Sequence, residues 1–194
     1  MTILKGVIWD MDGVLVDTGE IHFQSWMHTL EKYRVPFSRE IFNNTFGMNN
    51  AGILKLLMGN DIDSGAIKEI SEVIEINFRQ AMRGQLKTLP GALTLLESIR
   101  EENIPQAIGS SAPQKNIDAI VDELGLNNAF DALVSAAEMA GKPDPAVFLT
   151  AAERIQAPAA QCIVLEDAIA GVEAARKAGM KCIAITSTPV SYTH

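Results

Sequence analysis

The 194-residue sequence has few cysteines, no long apolar run and no excess of positive charge. Its two cysteines, Cys162 and Cys182, form no C-x-x-C pair and lie near no pair of histidines, so zinc or redox chemistry has little support. Each cysteine opens a short apolar run, so we expect two reduced, buried strand residues. A disulfide between neighbouring strands is disfavoured in the cytosol.

The formal net charge is -8, with 16 Lys and Arg against 24 Asp and Glu. A nucleic-acid partner is not expected, because binding a phosphate backbone requires clustered Lys and Arg. An acidic protein can still bind a small phosphate ester if a metal ion reverses the local charge. Neither a signal peptide nor a membrane span is expected from the apolar pattern. The prediction is a cytoplasmic protein without a membrane partner, with a monomer favoured and the oligomeric state open.

A pair of carboxylates follows the first apolar run, in the segment K-G-V-I-W-D-M-D-G-V-L-V-D at residues 5–17. The run at residues 7–9 predicts a buried parallel strand that ends at Asp10, with Asp12 and Gly13 just beyond it. The carboxyl ends of parallel strands are where open α/β sheets bind ligands. The segment therefore predicts a site at this end of the sheet.

Two carboxylates at this spacing can divide the work of phosphoryl transfer. Asp10, held ionised by a divalent cation, can attack phosphorus as a nucleophile. Asp12 can protonate the leaving oxygen and later deprotonate the water that hydrolyses the aspartyl-phosphate. Gly13 allows the backbone to approach the phosphoryl group closely. Taken alone, D-x-D-G is more typical of a turn that closes a strand, and the residues further along the chain favour the functional interpretation.

Residues 15–86 contain no comparable strand and predict an inserted, all-helical cap domain. Helical spacing and capping residues predict four helices, the third starting at Asn49 or Asn50 and the fourth at Asp63 or Ser64. Small or polar residues at both edges, Thr18-Gly19 and residues 83–85, are what a hinged lid needs. A helical subdomain packed rigidly on the core is the alternative.

After the insertion, strands and helices alternate regularly. Four further strands are predicted, at residues 106–109, 130–134, 162–165 and 182–185, with a helix between each pair. The fold class is therefore α/β, a Rossmann-like parallel-sheet core at residues 1–14 and 87–194 with the helical cap at residues 15–86. With 47% apolar residues, the chain can bury one good core and carry a small second domain.

Polar residues follow the later strands as well, and parallel strands should bring them to one edge of the sheet. Ser110 offers a hydroxyl and nearby backbone amides to phosphate oxygens, and Lys142 in G-K-P-D-P is a point cation. Glu166 and Asp167 are hard oxygen ligands for Mg²⁺. Each of these residues also has a purely structural explanation. Ser110 could cap a helix, Lys142 could be a solvated loop lysine, and Glu166 with Asp167 could be a charge pair favoured by a helix dipole. All of them together at strand ends are improbable as coincidence.

These motifs, in this order, resemble the haloacid dehalogenase superfamily in its phosphatase and phosphomutase branch. The resemblance covers about residues 4–185, and V-L-E-D-A-I-A-G-V-E-A-A-R-K-A-G-M is its most specific motif. It implies Asp10 as nucleophile, Asp12 as acid and base, and Ser110 with Lys142 as the phosphate-stabilising pair. It also implies a Mg²⁺ site formed by Asp10, the Asp12 carbonyl, Glu166 and Asp167. In longer relatives one more strand and helix would follow the fifth strand.

The segment D-T-G-E-I-H-F-Q-S-W is similar to the β-phosphoglucomutase subgroup, in which a histidine at the place of His22 helps to time the hinge. That subgroup has an arginine in the cap loop for a second phosphate, whereas residues 46–50 here contain no cation. Hydrolysis of a small sugar or polyol phosphate is therefore the leading prediction, with a phosphomutase and a non-catalytic phosphate-binding protein as alternatives. The residues assigned to the substrate or cap side are Gly13, Thr18, His22, Asn49, Asn50 and Ser111.

Overall fold

A computed structural model describes residues 3–45 and 48–186 of the chain. Phe46 and Gly47, in the cap loop singled out above, lie outside the described residues, and so do residues 187–194. The chain divides into two compact units, Met1–Asp17 with Leu86–His194, the core unit, and Thr18–Gln85, the helical unit. The helical unit thus starts at Thr18 and ends at Gln85, whereas the sequence predicted a cap at residues 15–86.

The core unit contains a five-stranded, all-parallel sheet in the order β3-β2-β1-β4-β5. Its strands are β1 Gly6–Trp9, β2 Gln106–Ser110, β3 Ala132–Ser135, β4 Cys162–Glu166 and β5 Lys181–Ala184. The helices of this unit are α5 Ala92–Glu101, α6 Gln114–Glu123, α7 Ala146–Arg154 and α8 Ile169–Lys177, with a short 3₁₀ turn at Ala159–Gln161. The predicted α/β class with a parallel sheet is confirmed.

The centre of the sheet is apolar on the face covered by α7 and α8. Ile8 of β1 lies beside Ala107 of β2 and Val164 of β4, and all three are fully buried. Phe148 and Val147 of α7 belong to the same hydrophobic cluster. Because a strand buried on both faces must be apolar throughout, the apolar run before Asp10 becomes the central strand.

The helical unit consists of α1 Gly19–Lys32, α2 Arg39–Thr45, α3 Asn50–Met58 and α4 Ser64–Ala81. Its own hydrophobic cluster contains Trp26, Leu30, Ile53, Leu54, Ile70 and Ile74. The side chains of Asn49 and Asp63 accept hydrogen bonds from the first turns of α3 and α4, so they are the N-caps among the predicted alternatives. These six residues lie at apolar positions that the helical spacing predicted, whereas Leu56 of α3, another such position, is exposed.

The two cysteines are free thiols, as expected, but only Cys162 is buried. Cys182 lies on β5, the outermost strand of the described sheet on that side, and is partly exposed. The prediction that both cysteines are buried is therefore wrong for Cys182. Within residues 3–45 and 48–186, none of the helices combines the length and apolar character needed to cross a bilayer.

Candidate active site

The carboxyl ends of the central strands β1 and β4 bring two acidic side chains together. Trp9 pairs with Leu165 in the sheet, so Asp10 and Glu166 are the next residues on adjacent strands. The Asp10 amide donates to the Leu165 carbonyl at 2.9 Å, which continues the ladder past the last strand pair. Both acids are buried, and the parallel register alone is enough to place them side by side.

The ammonium of Lys142 joins these two carboxylates. Its Nζ lies 2.5 Å from Asp10 Oδ1 and 2.7 Å from Glu166 Oε1. Lys142 comes from the loop between β3 and α7, and only 8% of its side chain is exposed. A buried charge is costly unless it is paired and hydrogen-bonded, and here Lys142 pairs with both carboxylates.

Burial and the neighbouring charges of opposite sign act in opposite directions on the pKa values of Asp10 and Lys142. Burial raises the pKa of Asp10 from 3.8 to about 7; the Lys142 charge opposes that rise, and Glu166 and Asp12 add to it. Burial by itself lowers the pKa of Lys142, but the negative charges of Asp10 and Glu166 raise it above its ordinary value. The cation therefore stays charged, and Asp10 is a carboxylate whose ionisation depends on the positive charge around it.

Asp167 adds a third carboxylate to the cluster. Ligand oxygens of Asp10, Glu166 and Asp167 all lie within 4.8 Å of one another. Gly13, which has a φ of 81°, leaves the space that the Asp167 carboxylate occupies, because a Cβ at residue 13 would overlap it. Three hard oxygen donors at this separation fit Mg²⁺ in donor type, since that ion prefers carboxylate and water ligands.

The backbone of the β4–α8 segment fixes the Glu166 carboxylate. Oε2 of Glu166 accepts a hydrogen bond from the Ala168 amide at 2.6 Å, while Oε1 faces Lys142. A Cβ at Gly171, in the first turn of α8, would overlap the same carboxylate. Gly171 was part of the motif quoted above, but its steric role depends on a contact between a strand end and a helix that the sequence alone does not reveal.

Ser110 is the last residue of β2, next to β1, and is buried. Its hydroxyl accepts a hydrogen bond from the Ala112 amide at 3.1 Å. Ser135, at the end of β3, supports the same turn, because its hydroxyl donates to the Ala112 carbonyl at 2.6 Å. Sequence reasoning missed Ser135, although its position at a strand end is the signal that identified Ser110. Ser111 follows in the turn and is exposed.

The four predicted residues Thr18, His22, Asn49 and Asn50 belong to the helical unit and have contacts within it. Thr18 precedes α1 and its carbonyl accepts the His22 amide at 2.9 Å, while the His22 ring stacks on Phe78 with centroids 4.1 Å apart. The Asn49 side chain accepts from the Gly52 amide at 2.8 Å, and Asn50 donates to Glu75 Oε1 at 2.7 Å. Their predicted part in substrate binding stays a prediction.

The sheet and the cluster at its carboxyl edge define an α/β protein with a buried carboxylate–lysine centre. Residues 7–185 match the sequence profile of the haloacid dehalogenase-like hydrolases, and the chain belongs to that family. The resemblance predicted from the motifs is thereby confirmed.

Named relatives agree with this assignment. The chain is 34% identical to β-phosphoglucomutase of Bacillus subtilis over 94% of its own length and 83% of the relative. It is 29% identical to a phosphorylated carbohydrates phosphatase of Thermotoga maritima, over 93% of this chain and 84% of the relative. The crystal structure of β-phosphoglucomutase from Clostridium difficile has the same fold, with a TM-score of 0.83 at 22% identity, covering 94% of this chain and 84% of that one.

Proposed function

We propose that the protein is a Mg²⁺-dependent phosphomonoester hydrolase that acts on a small sugar or polyol phosphate through an aspartyl-phosphate. The observation that carries the proposal is the buried cluster of Asp10, Lys142 and Glu166, with Asp167 beside it, at the carboxyl edge of the sheet. A nucleophile, a cation for phosphate and a set of hard metal ligands are what phosphoryl transfer requires.

Asp10 is the nucleophile in this proposal. A carboxylate oxygen of Asp10 forms a bond to phosphorus while the bond between phosphorus and the ester oxygen breaks. Asp12, two residues further on, gives its proton to the departing oxygen and so becomes a carboxylate. That carboxylate then takes a proton from the water that attacks the aspartyl-phosphate, which releases inorganic phosphate and restores Asp10.

Lys142 and Ser110 stabilise the negative charge of the transferring group. The Lys142 ammonium already lies against Asp10, so it is placed to neutralise both the nucleophile and the phosphoryl oxygens as they meet. Ser110 contributes its hydroxyl, and the turn after it presents backbone amides. Asp10, the Asp12 carbonyl, Glu166 and Asp167 would hold Mg²⁺, which when bound neutralises phosphate charge and keeps Asp10 ionised.

A phosphomutase is the second candidate, and the Bacillus subtilis relative of that name favours it. A mutase must exclude water from the aspartyl-phosphate and hold a second phosphate at the other end of its substrate. A buried phosphate dianion usually recruits arginine, yet residues 46–50 of the cap loop contain no cation. This composition is the reason for ranking hydrolysis first.

The experiment that separates the two is ³¹P NMR of the reaction with β-glucose 1-phosphate, with and without a bisphosphate primer, within a wider panel of phosphorylated sugars and polyols. We expect inorganic phosphate to form faster than glucose 6-phosphate in both conditions. Rapid, primer-dependent formation of glucose 6-phosphate with little free phosphate would establish the mutase instead. Phosphate binding without turnover of any ester would identify a non-catalytic member of the family.

A further inference from the structure

A buried aromatic ring of the core unit lies against the lysine of the candidate active site. The Phe148 ring, on α7, lies under the ammonium of Lys142, with Nζ 4.8 Å from the ring centroid. Phe148 is fully buried, and the Lys142 side chain is almost so. A cation within about 6 Å of an aromatic centroid is attracted by the negative face of the ring, most strongly where water is excluded.

The sheet beneath the ring is shaped to admit it. Gly109 of β2, the residue before Ser110, has no side chain on this face. A Cβ at Gly109 would lie 3.1 Å from Phe148 Cδ1 and 3.2 Å from Ile8 Cγ2, which is closer than nine in ten real Cβ contacts. The glycine thus permits the ring to lie against the sheet at the strand end that carries the site.

We propose that Phe148 is a positioning residue, whose ring face holds the Lys142 ammonium at the point where Asp10 and the transferring phosphoryl group meet. Asp10 and Glu166 attract the ammonium from their side of the cluster, but both of these acids are also expected to bind a metal. The ring supplies a neutral surface that attracts the cation without competing for that metal. This inference rests on the proposed function, since it gives Lys142 a part in phosphoryl transfer.

Packing alone would also explain a buried phenylalanine, so the test must separate ring electrostatics from ring volume. Fluorine atoms withdraw electron density from the ring face while changing its shape little. Phe148 is therefore replaced, by site-specific incorporation, with its mono-, di- and trifluorinated forms. The same series at Phe130, whose ring meets Trp9 edge-on at 6.4 Å, is the matched control.

We expect kcat for the best ester of the panel to fall stepwise with fluorine number at residue 148, by about three- to tenfold for the trifluorinated ring, with KM changed less than kcat. The affinity for inorganic phosphate, measured by calorimetry with Mg²⁺ present, should fall in the same order. The series at residue 130 should leave both kcat and phosphate affinity unchanged.

Equal kcat and phosphate affinity across the series at residue 148 would overturn the inference, and so would an equal decline at residue 130. If the unmodified protein turns over no ester, the proposed function fails, and the phosphate affinities alone then decide whether the ring positions Lys142. As a second variant, Gly109→Ala should displace the ring and lower kcat. Unchanged kcat in that well-folded variant would also count against the inference.

Discussion

Polar side chains are used differently in the two units of the molecule. In the core unit, Lys142 and the acids at the strand ends form a buried, charged cluster. In the helical unit, Asn49 and Asp63 cap helices, and Asn50 bonds to Glu75 on a neighbouring helix. Clusters of buried charge are common at functional sites, so the comparison supports the proposal that the chemistry takes place in the core unit.

The strongest test of this comparison is the same substitution made in both units. Asp10→Asn should lower kcat by about 10⁴-fold or more, because an amide cannot act as the nucleophile. Asp63→Asn, the matched control on the N-cap of α4, should leave kcat unchanged, since Asn caps helices as well as Asp does. The measurement is phosphate release from the best ester, with folding checked by circular dichroism. Substantial turnover by Asp10→Asn would remove Asp10 from the mechanism.

Metal removal should be nearly as damaging. Activity should disappear in EDTA and return with Mg²⁺, because Lys142 alone does not balance the charge of three carboxylates within 4.8 Å and of the phosphate that must approach them. Asp167→Asn should raise the Mg²⁺ concentration needed for half-maximal activity by about 10- to 100-fold. Asp17→Asn, an exposed acid of the same unit, serves as the control. An Asp167→Asn variant with an unchanged Mg²⁺ requirement would exclude that residue as a ligand.

A change of pH should affect kcat/KM less than metal removal does, but more than a substitution in the helical unit. Burial raises the pKa of Asp10 to about 7, and the protonated form cannot attack phosphorus, so kcat/KM at low Mg²⁺ should fall as the pH drops through about 7. A bound cation favours the carboxylate form of Asp10, so a higher Mg²⁺ concentration should move this acidic limb of the pH profile to lower pH. By the same shift, the metal-free protein should lose stability as the pH rises from 3.8 to about 7, because over this range only the folded state keeps the Asp10 proton. A limb that stays fixed at all Mg²⁺ concentrations would contradict the assignment to Asp10.

The smallest effect is expected at Asn49, which the sequence assigns to the substrate and the structure shows capping α3. Asn49→Ala should lower the free energy of unfolding by about 1 kcal/mol, whereas Asn49→Asp keeps the acceptor for the Gly52 amide and should not. Urea unfolding measures the difference. If Asn49 also holds the substrate, both variants should raise KM; an unchanged KM in both would leave it a structural residue.

The strand-end positions were predictable because they depend on local pattern and on one rule of parallel sheets. An apolar run followed by Asp10 or Glu166 needs only the common direction of the strands to bring the two acids together. The contacts that hold the cluster were not predictable in this way. The Phe148 ring and the space at Gly171 each act on residues brought near only by tertiary packing.

Element limits show the same distinction. Strand β3 begins at Ala132 rather than at Phe130, because the Asp131 side chain accepts the Gln106 amide from the neighbouring strand. In the helical unit, helical spacing predicted the buried faces but not their partners, such as His22 against Phe78 of α4. Hydrophobic periodicity predicts which face of a helix or strand is apolar. It does not predict which residue, distant in the chain, packs against that face.

The position of β1 in the middle of the sheet has a consequence for how the chain is made. Val7 pairs with Gln106 on one side and Ile163 on the other, so β1 leaves the ribosome well before both of its partner strands. The helical unit, with its own hydrophobic cluster, lies between them in the chain and can collapse first. The pairing of β1 with β2 and β4 then depends on contacts between residues far apart in sequence, and such contacts form slowly during folding. We expect the nascent core to need the whole of β4 before its central strand is secured.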